Sequence, residues 1–180
     1  MKKAFLLVVL TVALAYPAFS EVRLDLGVDV PLVAGFISGG DVTSSSEIGT
    51  FLTEHIFPFP EASIYYQFKV GPLRVAPGVR FFTFILESVM WPNVIAELEL
   101  GPVFIEGQLG GLVFGYFGVV TGLEFGQVLI PDLSIWVGLG KKKMFRLGAG
   151  AIGLMLPEIS TSQMLFAGYI GVKVSLTPWG

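Results

Sequence analysis

The chain has 180 residues, of which 53% are hydrophobic and 14% charged, with one histidine and no cysteine. Ordinary soluble domains carry about a quarter charged residues, so this composition points to a membrane. A formal charge of −3 argues against nucleic-acid binding through a basic surface, and the missing cysteine excludes disulfides, a lipid-modified N-terminal cysteine and thiolate metal sites.

Residues 1–20 read as a cleavable signal peptide. Lys2 and Lys3 form a basic start, Ala4 to Ala15 an apolar run, and Ala18-Phe19-Ser20 a small-x-small cleavage site. Cutting before Glu21 leaves 21–180 as one domain. No later segment offers about 20 consecutive apolar residues for a membrane helix. The longest charge-free stretch, Gly107 to Leu123, contains six glycines and alternates.

The rest of the chain reads as short strands. From Val22 to Val30, Arg23, Asp25, Gly27 and Asp29 alternate with valines and leucines, the period-2 pattern of a half-buried strand. Similar windows follow at 62–70, 73–82, 94–100, 103–110, 117–126, 133–140, 145–153 and 166–176, with residues 31–61 expected as a long outer loop. Gly71-Pro72 and Gly101-Pro102 suit type II′ hairpin turns, glycine taking the positive φ and proline the φ near −65°. Counted from these turns, Lys69 faces Arg74 and Glu97 faces Glu106. Like charges opposed on a sheet repel, but a basic hairpin next to an acidic one can neutralise it. Pro77 lacks a ladder donor, so a bulge or break belongs there.

Twelve ionisable residues fall on the polar strand face: Arg23, Asp25, Asp29, Lys69, Arg74, Arg80, Glu97, Glu99, Glu106, Glu124, Arg146 and Lys173. Six are acids and six bases, while the opposite face carries none, as contact with lipid requires. These features predict an all-β, closed antiparallel up-and-down transmembrane β-barrel of 8 strands, or 10 if Ile48 to Phe57 is a further strand. Ten of the twelve are assigned to a lumen charge network: Arg23, Asp25, Lys69, Arg74, Arg80, Glu97, Glu99, Glu106, Glu124 and Arg146. The remaining acids and bases, among them Glu61, Asp132 and Lys143, are assigned to loops or the mature terminus. Glycine, alanine and serine elsewhere on the polar face leave room for side chains that cross a narrow barrel. Tyr66, Phe81, Trp91, Tyr116, Phe125, Phe145 and Phe166 fall near strand ends, where headgroups favour aromatic rings.

Signal peptide, alternating strands and a last strand running Phe166, Gly168, Ile170, Val172, Val174, Leu176 together resemble the small outer-membrane β-barrels of diderm bacteria, the OmpX-like and OmpW-like proteins. The resemblance covers nearly all of residues 22–179. It implies residence in the outer membrane, contact with outer-membrane lipids and recognition by the barrel-assembly machinery. It implies a non-enzymatic protein, with a structural or adhesive role or passage of small hydrophobic molecules. In OmpW-like barrels a hydrophobic groove has that last role, and Phe51, Ile56, Phe57 and Phe59 in the first loop suit one. Two alternatives stand beside it. One is a secreted soluble β-barrel that binds lipid, with apolar faces inward and charges outward. The other is an outer-membrane enzyme modifying lipid acyl chains with His55, Glu87 and Ser88. One histidine excludes paired-histidine metal sites, and no phosphate loop or nucleophile elbow is present, so no cofactor or metal is expected.

Overall fold

The computed structural model describes residues 20–38, 41–44, 58–84, 87–118, 122–155 and 163–177, and all regular structure among them is β. The strands are β1 (Ser20–Ser38), β2 (Asp41–Ser44), β3 (Phe59–Val70), β4 (Leu73–Phe84), β5 (Glu87–Leu100), β6 (Val103–Gly111), β7 (Phe114–Gly118), β8 (Gly122–Gly126), β9 (Leu129–Leu139), β10 (Phe145–Leu154) and β11 (Gln163–Leu176). Eight of them close a ring in the order β1, β3, β4, β5, β6, β9, β10, β11 and back to β1, every pair antiparallel. This is an all-β, up-and-down barrel. Closure leaves no unpaired edge in the ring.

The strand count resolves on the window 117–126. It is not a barrel strand but the β7–β8 hairpin, which pairs with the upper part of β5 and contributes nothing to the ring. Alternation alone cannot distinguish a barrel strand from a hairpin arm. The expected outer loop is also shorter than 31–61, because β1 runs on to Ser38, pairs there with β2, and β3 begins at Phe59. Residues 48–57, the alternative extra strand, lie outside the described residues.

Both Gly-Pro turns hold the register counted from the sequence. Gly71 and Gly101 have φ of 61° and 65°, and the pairs Val70–Leu73, Lys69–Arg74, Leu100–Val103 and Glu97–Glu106 stand opposite one another. These turns share one end of the barrel with the β9–β10 turn and with the first residues of β1 and last of β11. At Pro77 the β3–β4 ladder is interrupted between Tyr65–Gly78 and Phe68–Val75 with no change of register. A one-residue bulge sits instead on β1, between Pro31 and Val33, where Leu32 and Val33 are both exposed.

Outward positions carry Ile64, Val94, Leu109, Leu133, Ile135, Val137, Leu147, Ile170 and Val172, all exposed, and no charge. Inward positions carry buried Arg23, Asp25, Arg80, Glu97, Glu106, Asp132, Arg146 and Lys173. The reversed arrangement that a soluble lipid-binding barrel needs is therefore not the one present.

Small inward residues do more than leave room, because aromatic rings lie directly across them. A Cβ on Gly148 would come within 2.5 Å of the Trp136 ring, on Gly150 within 2.6 Å of Tyr169, and on Gly110 within 2.4 Å of Trp91. On Gly78 it would meet the Ile64 carbonyl oxygen at 2.1 Å and the Tyr65 ring at 2.5 Å. Backbone cannot swing aside as a flexible side chain can. Gly78→Ala is therefore expected to lower stability by about 1–3 kcal/mol, whereas Gly107→Ala is expected to change it little. Nothing lies within 4 Å of a Cβ on Gly107. Urea midpoints of the two variants folded in detergent check the contrast.

Candidate functional site

The interior is stacked in layers along the barrel axis. Nearest the short turns is a polar vestibule of about 250 Å³ bounded by Arg23, Lys69, Arg74, Glu99, Lys142, Lys143 and Arg146 among others. Above it Glu97 and Glu106 lie side by side on β5 and β6, fully buried, and share their cations. Glu97 receives Arg23 Nη1 at 2.7 Å, Arg74 Nη1 at 2.6 Å and Arg146 Nη1 at 2.6 Å. Glu106 receives Lys173 Nζ at 2.5 Å, Arg146 Nη1 at 3.0 Å and Arg23 Nη2 at 3.3 Å. Arg23 also donates to Asp25, and Arg74 donates to Glu99. Burying one ion costs several kcal/mol, so only a network this densely paired is tolerable. The Arg146 guanidinium stacks 3.8 Å from the Phe104 ring centre, which spares it part of its lost hydration.

The next layer is lopsided. Arg80 reaches Glu61 Oε2 at 2.7 Å, Asp132 Oδ2 at 2.6 Å and Asp29 Oδ2 at 3.8 Å, one cation among three buried carboxylates. Tyr169 donates its hydroxyl to Asp132 at 2.9 Å, and Asn93 donates to Tyr65 and Gln108.

At the end away from the short turns the interior changes character. A cavity of about 450 Å³ is lined by Phe59, Phe82, Trp91, Val128, Ile130, Ile152 and Leu154 with further apolar neighbours, and no lining residue is polar. Phe82 and Trp91 stack at 5.3 Å with an 8° interplanar angle, and Arg80 lies under the Phe82 ring at 4.7 Å, joining this chamber to the ionic layer below. The ionic layers thus lie between a polar vestibule at one end and an apolar cavity at the other.

The structure brings Arg23, Asp25, Arg74, Glu97, Glu99, Glu106 and Arg146 into one network and puts Arg80 in the separate layer above. Lys69 lines the vestibule with Arg74 and Glu99, exposed and outside these ion pairs, where its charge still acts on Glu99. One assignment needs correction: Glu124 is on β8, which pairs with β7 and is not a strand of the ring. Conversely, Glu61, Asp132 and Lys143 belong inside. Lys143 adopts a φ of 50° in the β9–β10 turn and reaches Glu99 at 2.7 Å and the Gly101 carbonyl at 2.6 Å. Trp91 is 5% exposed and points into the chamber, not to the headgroups. Of the four groove residues, Phe59 lines the chamber, while Phe51, Ile56 and Phe57 lie outside the described residues. His55 also lies outside them, and Ser88 donates its hydroxyl to Thr83 Oγ1 at 3.2 Å. Among the described residues no group of acidic or histidine side chains has the geometry to hold a metal ion.

No family model and no curated protein matches the chain. Among solved structures it is similar to Neisserial surface protein A, at 13% identity over 86% of this chain and 97% of that one, with a TM-score of 0.47. It is also similar to Ail, the attachment invasion locus protein of Yersinia pestis, at 10% identity over 88% and 99% of the two chains, with a TM-score of 0.41. A second structure of Ail, in complex with the heparin analogue sucrose octasulfate, matches equally. With eight antiparallel strands closed into a ring, ions inside and an uncharged apolar belt outside, the chain has the architecture of the small outer-membrane β-barrels that its sequence resembles.

Proposed function

We propose that this protein is a non-enzymatic outer-membrane barrel that takes up a small hydrophobic molecule in the chamber at its mouth. Residues 1–20 direct export, the barrel-assembly machinery inserts the mature chain, and the outward belt contacts outer-membrane lipid. The belt supports this placement: β-strands of 9–11 residues suffice to cross a bilayer, and the eight ring strands run from 9 to 19 residues. Short turns at the end holding both ends of the ring fit the periplasmic side, which leaves the chamber on the outer side.

One observation carries the ligand assignment. Binding pockets of 300–1,000 Å³ are the common size for small ligands, and this chamber of about 450 Å³ is apolar throughout. Such a surface discriminates against anything that would have to shed water from a polar group, and it favours a hydrocarbon chain or ring. The ionic layers beneath block through-passage, so a ligand that leaves does so by the mouth or between strands.

Nuclear Overhauser contacts test this in nanodiscs of deuterated lipid to which protonated decane is added. Contacts to the Ile130 and Ile152 methyl groups are expected to appear and saturate. Contacts confined to the outward Ile135 methyl group would remove the chamber from consideration.

A further inference from the structure

The vestibule at the short-turn end is a second, chemically opposite site. Six of its lining side chains are cationic, Arg23, Lys69, Arg74, Lys142, Lys143 and Arg146, against two carboxylates, Glu21 and Glu99. The deeper carboxylates do not restore balance. Counting Asp25, Glu97 and Glu106 with them gives five anions, while Lys173 raises the cations to seven. Farther up the axis, Arg80 among Asp29, Glu61 and Asp132 carries the opposite excess, so the surplus positive charge is confined to this end.

A second observation is independent of the charge count. Two buried guanidinium nitrogens of vestibule-lining residues have no hydrogen-bond partner: Arg74 Nε and Arg146 Nε. A buried donor left unmade costs about 1–3 kcal/mol, more when charged. We infer that the vestibule binds a phosphate-type oxyanion, whose several acceptor oxygens match guanidinium and ammonium N–H groups while its charge offsets the cationic surplus. Lys69 and Lys142, exposed at the opening, draw the anion in.

The chemistry is common to free phosphate compounds and to the headgroup of an anionic phospholipid in the adjoining leaflet. Inorganic phosphate is titrated calorimetrically, at constant ionic strength, into the barrel in phosphatidylcholine nanodiscs, which leave both ends open. Saturable binding is expected, weakened at least tenfold by Lys69→Gln with Lys142→Gln. Both lysines are exposed, and the unheated gel mobility of the double variant verifies folding. Nanodiscs containing phosphatidylglycerol then separate the sources: loss of phosphate binding there assigns the site to a headgroup, and undiminished binding assigns it to a soluble anion. Absence of saturable binding to the wild type, or equal affinity in the folded double variant, overturns the assignment.

Discussion

Replacing Glu97 with alanine is expected to cost the folded barrel about 3–5 kcal/mol, the loss typical of breaking one side of a buried ion network. Glu97 is the acceptor common to Arg23, Arg74 and Arg146, at 2.6–2.7 Å from each. Removing it leaves three guanidinium groups around two fewer oxygens, with Glu106 the nearest substitute and already bound to Lys173. Glu97→Gln keeps the shape and one carbonyl acceptor, so its cost is expected to be smaller. Urea unfolding of both variants in lipid vesicles measures the difference. A loss below about 1 kcal/mol for the alanine variant would mean that water already hydrates this layer.

The second large effect is on the other face. Ile135→Arg is expected to destabilise the barrel by about 2–4 kcal/mol, and Val70→Arg by about 0–1 kcal/mol. Both residues are exposed and apolar, Ile135 in the middle of β9 and Val70 beside the Gly71-Pro72 turn. In water the two substitutions would be equally harmless. Only a hydrocarbon slab centred on the barrel makes their costs differ, because an arginine at the end of a strand reaches the headgroups and one at the middle does not. Equal midpoints for the two variants in vesicles would contradict the membrane placement.

How far the fold was legible follows from where period 2 is clean. Around the Gly-Pro turns the pattern is unbroken, and it specified Lys69 opposite Arg74 and Glu97 opposite Glu106 as they stand. It also placed the Arg74 hairpin where it could neutralise Glu97 and Glu99, and Arg74 contacts both. Glu61 and Asp132 read as loop residues because each follows a proline, Pro60 and Pro131, which reads as a strand boundary but here sits within β3 and β9. Lys143 reads as one of three loop lysines, and nothing in that run of three marks the one that reaches Glu99. Leu123-Glu124-Phe125 alternates as well as any barrel strand, so β8 gave no local sign that it pairs with a hairpin partner alone.

The chamber left a signal of a different kind. Phe81-Phe82, Val128-Leu129-Ile130 and Leu165-Phe166-Ala167 are apolar on both strand faces, so the alternation fails in several strands at the same height. The residues of inward register there, Phe82, Val128, Ile130 and Ala167, are chamber lining. Which strands reach that height together depends on the ring order and stagger, and these are properties of the closed barrel.

The account rests on apolar side chains meeting lipid while ions are enclosed, and nitroxide accessibility measures this directly. The chain has no cysteine, so single cysteines introduced at Ile64, Ile135, Val172 and Lys141 take a spin label without background. In vesicles, labels at Ile64, Ile135 and Val172 are predicted to relax strongly with oxygen and weakly with a water-soluble nickel chelate, and the label at Lys141 to do the reverse. Nickel accessibility at Ile135 and Val172 equal to that at Lys141 would contradict it.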